Sequence, residues 1–267
     1  MWLAADYSEG RQDGDFQVMN PAEIVNILEA EEDFWWYRGM RRILFGLLDP
    51  LAERRKVRAA LEAGCGTGYN AALLEQRYGW PMYALDLDWG GLRHAQERGV
   101  SRLTQGDLAA LPFPAESFDA VISLDVIVHF PRGEEGRALA ELTRVLARGG
   151  LLVLRVAALD TLRSRHSEFA CERQRFTAKR LIAGVTSHGI RVLRCTYANS
   201  LLLPVALAKF RLWEPLMQRT PQSGVRPVSP WLNRLLSLPL AAESRWLTVG
   251  RNMPLGQSLI LIGEKTA

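Results

Sequence analysis

Between residues 62 and 68 the chain reads Glu-Ala-Gly-Cys-Gly-Thr-Gly, so glycine occupies every second position between an apolar run and a helical pattern. A backbone needs glycine where it bends sharply and comes close to a ligand without side-chain interference. A dinucleotide fingerprint places its third glycine one residue later, where this chain has Tyr69. The tighter spacing favours a ligand made of a nucleoside and an amino acid, and a purely structural turn is the alternative.

From residue 57 to residue 196, short apolar runs alternate with helical periodicity, the pattern of βαβ units around a parallel sheet. Predicted strands cover 57–63, 81–87, 101–105, 118–124, 151–156, 190–196 and 258–264, and predicted helices cover 69–78, 90–98, 134–146 and 177–187. Arg148-Gly149-Gly150 is expected to end the third of these helices. The fold class is therefore α/β.

Two flanking regions fall outside this alternation. Asn20 and Pro21 begin a helical segment that is expected to end at Asp49-Pro50 and to form an N-terminal helical cap. Residues 199–250 mix apolar stretches with prolines and tryptophans, which predicts short broken helices. The predicted organisation is an acidic segment and cap over 1–50, a core over 51–198, a helical insertion or lid over 199–250, and a final strand over 251–267.

Composition narrows the class of protein. With 267 residues, 48% of them hydrophobic, the chain can bury a full core, which argues against a disordered or fibrous protein. The three cysteines are widely separated and odd in number, so they indicate neither a disulfide framework nor a metal site. The first residues carry acids where a secretory signal carries basic residues and an apolar run. We therefore expect a cytoplasmic location.

Three acidic residues follow predicted strands. Asp86 ends the second strand, where its two carboxylate oxygens are able to accept hydrogen bonds from both hydroxyls of a ribose. Asp88 competes for that role, and a solvent-facing turn is the structural alternative for both. Asp107 with Leu108 follows the third strand, where a carboxylate is able to accept from the amine of adenine. A helix N-cap is the alternative for Asp107.

The motifs EAGCGTG, LDLD, QGD, LPFPAESFDAVISLD and LTRVLARGGLLVL together resemble those of the class I S-adenosylmethionine-dependent methyltransferase superfamily, over about residues 57–156. The outer segments FWWYRGMRRIL, RQRFTAKRL, YANSLLLPVAL and MPLGQSLILIGEK look like a bacterial subgroup often associated with glycan biosynthesis genes. The resemblance implies a Rossmann-like three-layer sandwich with a seven-stranded, mostly parallel sheet whose last strand is antiparallel. It also implies S-adenosylmethionine as methyl donor, S-adenosylhomocysteine as product, and no metal.

The same resemblance implies a set of cofactor-binding residues. The glycine-rich segment faces the methionine part, Glu62 supports its amino group, and the backbone near Leu124 faces that group. Asp86 binds ribose, whereas Asp107 and Leu108 hold adenine. Arg38, on the N-terminal helix, pairs with the cofactor carboxylate, with a surface salt bridge as the alternative. The full set is Glu62, Gly64, Cys65, Gly66, Gly68, Asp86, Leu87, Asp107, Leu108, Leu124 and Arg38.

Candidate catalytic residues follow from the chemistry of the acceptor. If the acceptor is a hydroxyl, a general base helps, and His129 is the first candidate, followed by His166 and Tyr37. The resemblance puts an acid before this histidine, but the chain has Val128 there, so a packing role for His129 is an equal alternative. The rival functions are a non-catalytic S-adenosylmethionine-binding protein and, with less support, a dinucleotide-dependent oxidoreductase.

The acceptor itself is predicted only by class. An arginine-rich stretch from residue 155 to residue 194 suggests an anionic small molecule, such as a nucleotide-linked or lipid-linked sugar, and a solvated surface is the alternative. The segment from Leu201 to Leu216 is apolar, too short to span a bilayer, and suited to core packing, peripheral membrane contact or an oligomer interface. Nucleic acid is a disfavoured acceptor because no Asn-Pro-Pro-Tyr-type tetrapeptide follows the fourth strand.

Overall fold

A computed structural model describes residues 20–216, 220–226 and 228–266 and contains one seven-stranded sheet. The strands are β1 (Ala60–Ala63), β2 (Met82–Asp86), β3 (Arg102–Gln105), β4 (Phe118–Leu124), β5 (Leu146–Ala157), β6 (Ile190–Ala198) and β7 (Ser258–Lys265). The helices are α1 (Pro21–Ala30), α2 (Trp35–Ala52), α3 (Tyr69–Tyr78), α4 (Trp89–Glu97), α5 (Glu135–Val145), α6 (Arg165–Phe169), α7 (Ala178–Thr186), α8 (Leu203–Leu207), α9 (Glu214–Leu216) and α10 (Pro230–Thr248). A wider, π-type helical stretch, Ala208–Trp213, joins α8 to α9.

The sheet has the order β3-β2-β1-β4-β5-β7-β6. The first five strands pair in parallel, and β7 runs antiparallel to both β5 and β6. The predicted mostly parallel sheet with an antiparallel last strand is therefore confirmed. Because β1 pairs with both β2 and β4, the strand order reverses there, and such a reversal opens a crevice at the carboxyl ends of parallel strands.

Helices cover both faces of the sheet, which confirms the predicted three-layer sandwich. One buried cluster joins the sheet to α2, α3, α4 and α10 through residues such as Ile43, Leu74 and Leu240. A second cluster joins the opposite face to α5 and α7 through Leu142 and Leu181. Strands buried on both faces read as continuous apolar runs, as in the fully buried residues 151–154.

The flanking helices differ from the sequence predictions. The N-terminal segment forms two helices, capped at the start by the Asn20 side chain as predicted, and Pro50 lies inside the last turn of α2. Residues 230–248 form a single helix of 19 residues that contains Pro239, so the prediction of short broken helices is wrong there. Packing on α2 offsets the backbone hydrogen bond that Pro239 cannot donate.

The junction of β5 also differs from the prediction. Arg148-Gly149-Gly150 lies inside β5, whereas α5 already ends at Val145. Gly149 has a positive φ of 70°, and the register between β4 and β5 shifts in this region. The two glycines therefore form part of the irregular start of β5 and do not end α5.

Helix α10 holds α2 over the carboxyl edge of the sheet. A side chain at Gly39 would come within 2.2 Å of Leu240, so the two helices approach closely only because residue 39 is glycine. The Asn233 side chain accepts a hydrogen bond from the Trp35 N–H at 2.7 Å, and Ser244 donates to the Arg42 carbonyl at 3.2 Å. These contacts fix the aromatic start of α2 at the carboxyl edge of the sheet.

Candidate functional site

A cavity of about 640 Å³ lies at the carboxyl edge of the parallel strands, a size typical of small-molecule sites. Its floor is formed by the segments after β1, β2, β3 and β4, and α1 and the start of α2 contribute one wall. The rest of the lining comes from residues around α6, from the stretch between α8 and α9, and from residues 222–225. The cavity therefore brings together the core and both flanking regions of the sequence.

The glycine-rich segment bends between β1 and α3 with three positive φ angles. A side chain at Gly64 would meet Val126 at 2.2 Å, and one at Gly68 would meet Ala95 at 2.4 Å, so both glycines are required by packing. Gly66, at φ +52°, has no atom within 4 Å of the place where a side chain would project. Gly64 and Gly66 line the cavity, whereas Gly68 lies behind them at the start of α3. The bend thus leaves open space at Gly66.

Asp86 and Asp88, which the sequence left as competitors, have different roles. Asp86 accepts hydrogen bonds from the Gly66 N–H at 2.6 Å and from the Asp88 N–H at 2.9 Å. Asp88 is the N-cap of α4 and accepts from the Gly91 N–H at 2.6 Å. Burial raises the pKa of Asp86, although these backbone donors oppose the rise. Asp86 thus ties the glycine-rich bend to the end of β2.

Glu62 is a buried carboxyl group at the end of β1, on the cavity floor. Its Oε2 atom has no hydrogen-bond partner within the described residues, and burial raises its pKa to about 8 despite the nearby Arg155. A buried polar atom without a partner is costly, so its retention calls for an explanation. A cationic or N–H donor group entering the cavity would provide that partner.

The other predicted cofactor residues occupy the same floor. Asp107, Leu108, Leu87, Leu124 and Cys65 all line the cavity. Asp107 accepts from the Ala109 N–H at 2.8 Å in a turn, so it is not the N-cap of a helix. Leu108 and Leu124 are buried, and burial raises the pKa of the Cys65 thiol well above its usual range. Cys65 is therefore a neutral apolar neighbour and not a nucleophile.

Arg38, like Gly68, does not line the cavity. Its exposed side chain borders a shallow depression on the other side of α2, so the proposed pairing with a cofactor carboxylate has no support. The arginine of α2 that lines the cavity is Arg41, one helical turn later, which donates to the backbone carbonyls of Glu31 and Glu32. Arg41 and Arg98 lie over the ring of Tyr69, at 4.6 and 4.9 Å from its centre. Tyr69, in place of a third dinucleotide glycine, therefore packs against arginines of α2 and of the end of α4.

Sequence reasoning missed a group in the middle of the cavity. Arg155, at the end of β5, forms a 2.7 Å ion pair with Asp125 and lies 5.1 Å from the ring centre of Trp36. Asp125 has a positive φ of 61°, directly after β4. The order of strands in the sheet brings residues 36, 125 and 155 together, and a single sequence does not contain that order. The only signal was the acid and the arginine at the ends of predicted strands.

The two cavity histidines differ in their tautomers. The Nδ1 atom of His129 lies 3.1 Å from the Cys171 carbonyl, which only accepts, so Nδ1 carries the proton and Nε2 keeps a lone pair. His166 has the opposite arrangement, because its Nδ1 atom accepts from the Gly224 N–H at 3.1 Å. Burial lowers the pKa of His166, although Glu23, 3.7 Å away, opposes that effect. Neutral His166 thus has no free lone pair, whereas His129 has one.

Tyr37, the third catalytic candidate, lines the cavity in a half-buried position. Burial, followed by the negative charge of Glu23, raises the pKa of Tyr37 well above its usual range. The phenol is therefore neutral at physiological pH and is able to donate a hydrogen bond but not to act as a base. The geometry favours His129 among the three.

Key arginines of the arginine-rich stretch have partners within the protein. Arg175 pairs with Glu172 at 2.5 Å and also donates to Ser167 and to the Ala158 carbonyl. Arg163 donates to the Glu172 carbonyl. These guanidinium groups serve the fold, so the count of arginines no longer argues for an anionic acceptor.

Replacing Arg175 with methionine is expected to lower the free energy of unfolding by about 3–5 kcal/mol, because it leaves the buried carboxylate of Glu172 without a partner. The double variant Arg175→Met/Glu172→Leu should lose less, since no unpaired charge remains. Urea unfolding followed by circular dichroism measures both changes. An equal or larger loss in the double variant would contradict the assigned pairing.

Comparison with known proteins finds a methyltransferase domain in the part of the chain that forms this site. A family model described as "Methyltransferase domain" matches residues 61–154, the stretch that forms most of the cavity floor. A probable S-adenosylmethionine-dependent methyltransferase of Mycolicibacterium smegmatis is 33% identical over 126 residues, 47% of this chain and 46% of that protein. Residues 61–154 thus carry a methyltransferase domain that is similar to those of class I S-adenosylmethionine-dependent methyltransferases. The cofactor of these enzymes is the one that the sequence predicted.

Further relatives show how far the likeness extends. A probable S-adenosylmethionine-dependent methyltransferase of Mycobacterium tuberculosis is 34% identical over 124 residues, 46% of this chain and 42% of that protein. The chain thus spans less than half the length of these curated relatives. A probable human tRNA methyltransferase 9B is 34% identical over 121 residues, 44% of this chain and 25% of that protein.

Solved structures of methyltransferases share the fold. The protein solved in complex with the Trm112 methyltransferase activator of Haloferax volcanii has a TM-score of 0.58 at 17% identity, covering 92% of this chain and 98% of that one. Phosphoethanolamine N-methyltransferase 2 of Haemonchus contortus has a TM-score of 0.59 at 16% identity, covering 92% of this chain and 57% of that one. At these identities the likeness establishes the Rossmann-like methyltransferase fold.

Two searches of the described residues bear on other classes of site. Within residues 20–216, 220–226 and 228–266, no group of three or more histidines, cysteines or acids is placed to hold a metal ion. Among the same residues, no helix is long and apolar enough to cross a membrane.

Glu62 gives a testable link between the cavity and stability. Its pKa of about 8 in the folded protein exceeds its ordinary value of 4.5, so the folded state holds an extra proton between these pH values. The contribution of protonated Glu62 to the free energy of unfolding is therefore fully present below pH 4.5 and is lost as the pH rises through 8. We expect Glu62→Gln to raise the free energy of unfolding of the cofactor-free protein by roughly 2–4 kcal/mol at pH 9, with little change at pH 5.

Thermal and urea unfolding at both pH values measure this effect. The exposed Glu53→Gln variant is the matched control and should change the free energy of unfolding by less than about 0.5 kcal/mol at either pH. A pH-independent effect of Glu62→Gln would contradict the buried, protonated state of Glu62.

Proposed function

We propose that this protein binds S-adenosylmethionine in the cavity and transfers its methyl group to a small-molecule, glycan or lipid-linked acceptor. The observation that carries the proposal is the unpartnered Oε2 atom of Glu62 beside the open space at Gly66 and the buried Asp86, on one cavity floor. An amino group suits the Glu62 carboxyl, and vicinal hydroxyls suit Asp86. The residues present therefore fit an adenosyl amino acid.

In this assignment each segment holds one part of the cofactor. Gly64 and Gly66 admit the methionine part, Glu62 faces its amino group, Asp86 faces the ribose, and Asp107 with Leu108 faces the adenine. The cofactor supplies an activated methyl group on a sulfonium. The protein then has to orient the acceptor in line with that group and to exclude water. The walls from α1, α2 and residues 222–225 enclose the cavity for this purpose.

His129 is the proposed general base for a hydroxyl acceptor. The Cys171 carbonyl holds the Nδ1 proton, so the Nε2 lone pair is free to take the acceptor proton. An amine acceptor that arrives uncharged needs only alignment. The role of His129 thus distinguishes oxygen from nitrogen as the methylated atom.

Replacing His129 with glutamine is expected to lower methyl transfer to a hydroxyl about 100-fold or more and to change cofactor affinity less than threefold, because only the lone pair is lost. His166→Gln is the matched control in the same cavity and should keep transfer within about tenfold. Initial rates with labelled S-adenosylmethionine measure both. Equal losses in the two variants would contradict the assignment of His129.

The test of the proposed function is methyl transfer from labelled S-adenosylmethionine into small-molecule, glycan and lipid fractions of a cell extract. Incorporation that depends on Glu62 and Asp86 supports an enzyme. If the protein bound the cofactor but no fraction incorporated label, the result would contradict the enzyme and favour a non-catalytic S-adenosylmethionine-binding protein. Calorimetric binding of NADH in preference to S-adenosylmethionine would favour an oxidoreductase.

A further inference from the structure

Two helical segments next to the cavity expose large apolar side chains. On the segment from α8 to α9, Val205, Leu212 and Leu216 are exposed by 60%, 67% and 79%. On α10, Trp231, Leu235 and Leu238 are exposed by 67%, 53% and 64%. The three side chains of α10 are spaced four and three residues apart, so they lie on one face of that helix. Soluble proteins rarely expose apolar side chains of this size in groups, so such groups indicate a binding surface.

Cationic side chains accompany these apolar residues. Lys209 and Arg211 lie within the α8–α9 segment, and Arg234 is exposed on α10. Arg226 lies between these two segments in the sequence. Within the described residues none of the four forms an ion pair with a carboxylate. The only acid of the α8–α9 segment, Glu214, accepts a hydrogen bond from the Arg165 N–H. We define these apolar and cationic residues together as the apolar-basic face.

The apolar-basic face borders the mouth of the cavity. Phe210 and Trp213, from the α8–α9 segment, line the cavity, although Trp213 is itself 62% exposed. Helix α10 reaches the same region through Asn233, whose side chain binds the N–H of Trp35, another cavity residue. The other side of α10, with Leu240 and Leu247, is buried. The exposed stripe of α10 is therefore the side of the helix that nothing in the described chain covers.

We propose that the apolar-basic face binds the surface of an anionic lipid bilayer. Apolar side chains flanked by lysine and arginine match the two components of such a surface, acyl chains below and negative headgroups above. A second copy of the chain is a poorer partner, because a two-fold contact would place the same cations opposite one another. The proposal goes beyond the proposed function, since bilayer binding needs no cofactor.

Bilayer binding would place the cavity mouth at the membrane surface. An acceptor whose reactive group lies at the headgroup level then reaches the cavity without leaving the bilayer. This consequence connects the surface to a lipid-linked acceptor, but the two are tested separately.

Flotation of the purified protein with vesicles tests the surface directly. We expect at least about tenfold more protein on vesicles of phosphatidylcholine with phosphatidylglycerol than on phosphatidylcholine alone, and release at high salt. Leu212→Glu/Leu216→Glu should abolish binding, and Arg211→Gln/Arg234→Gln should remove the preference for anionic lipid. Val249→Glu, at the other end of α10, is the matched control and should bind normally.

Two further measurements keep the outcomes distinct. Calorimetry with S-adenosylhomocysteine on the same variants reports folding and cofactor affinity, which this proposal leaves unchanged. Sedimentation velocity reports self-association. No preference for anionic vesicles, vesicle binding retained by Leu212→Glu/Leu216→Glu, or a dimer abolished by that change without vesicle binding would each overturn the proposal.

Discussion

Replacing Gly66 with alanine is expected to weaken binding of S-adenosylmethionine about 100-fold. The new methyl group would project into the open space at the bend, which the proposed function assigns to the cofactor. A steric cost of about 3 kcal/mol against the cofactor corresponds to that loss of affinity. The positive φ of residue 66 adds a strain of about 1 kcal/mol to the folded state. Calorimetric titration measures the affinity, and urea unfolding measures the strain.

Gly79 offers a matched control for this substitution. It also has a positive φ, of 66°, and open space around it, but it ends α3 away from the cavity. Gly79→Ala should therefore show the same loss of unfolding free energy, about 1 kcal/mol, with unchanged cofactor affinity. Equal affinities for the two variants would mean that Gly66 does not contact the cofactor.

Replacing Asp86 with alanine is expected to lower cofactor affinity about 100-fold or more. Two hydrogen bonds to a charged group contribute about 1.5 kcal/mol each at the lower limit, and 3 kcal/mol corresponds to that factor. The change also frees the Gly66 N–H that Asp86 now holds, which loosens the bend. Calorimetric titration with S-adenosylhomocysteine measures the loss.

Asp88→Ala is the control for Asp86, because the two acids are separated by a single residue. Loss of the α4 N-cap should lower the free energy of unfolding by about 1 kcal/mol while cofactor affinity changes less than threefold. If Asp88→Ala weakened binding as much as Asp86→Ala, the ribose would have to be assigned to both acids or to Asp88.

The core of the fold was predictable because its signals are local. Apolar runs, glycine turns and helical periodicity each lie within a few residues of one another, and they define the strands and their order along the chain. The flanking helices were less predictable because proline indicates a break only where packing does not offset it. Pro50 and Pro239 both lie inside helices, and α10 in particular gains its stability from α2.

Site residues were predictable from the sequence where their role depends only on their place at the end of a strand. Gly64, Gly66, Asp86 and Asp107 follow successive strands, and the carboxyl ends of parallel strands meet at one edge. The ion pair of Arg155 and Asp125 and the tautomers of the two histidines depend on contacts between distant segments. Arg38 and Arg41 differ by three residues on the same helix, and only the packing of α2 decides which one faces the cavity.

The most direct test of the account is calorimetric titration of the purified, cofactor-free protein with S-adenosylhomocysteine. The account predicts saturable one-to-one binding that Gly66→Ala and Asp86→Ala each weaken about 100-fold, whereas Gly79→Ala and Asp88→Ala do not. Absence of binding by the folded wild-type protein, or binding that neither Gly66→Ala nor Asp86→Ala affects, would contradict it.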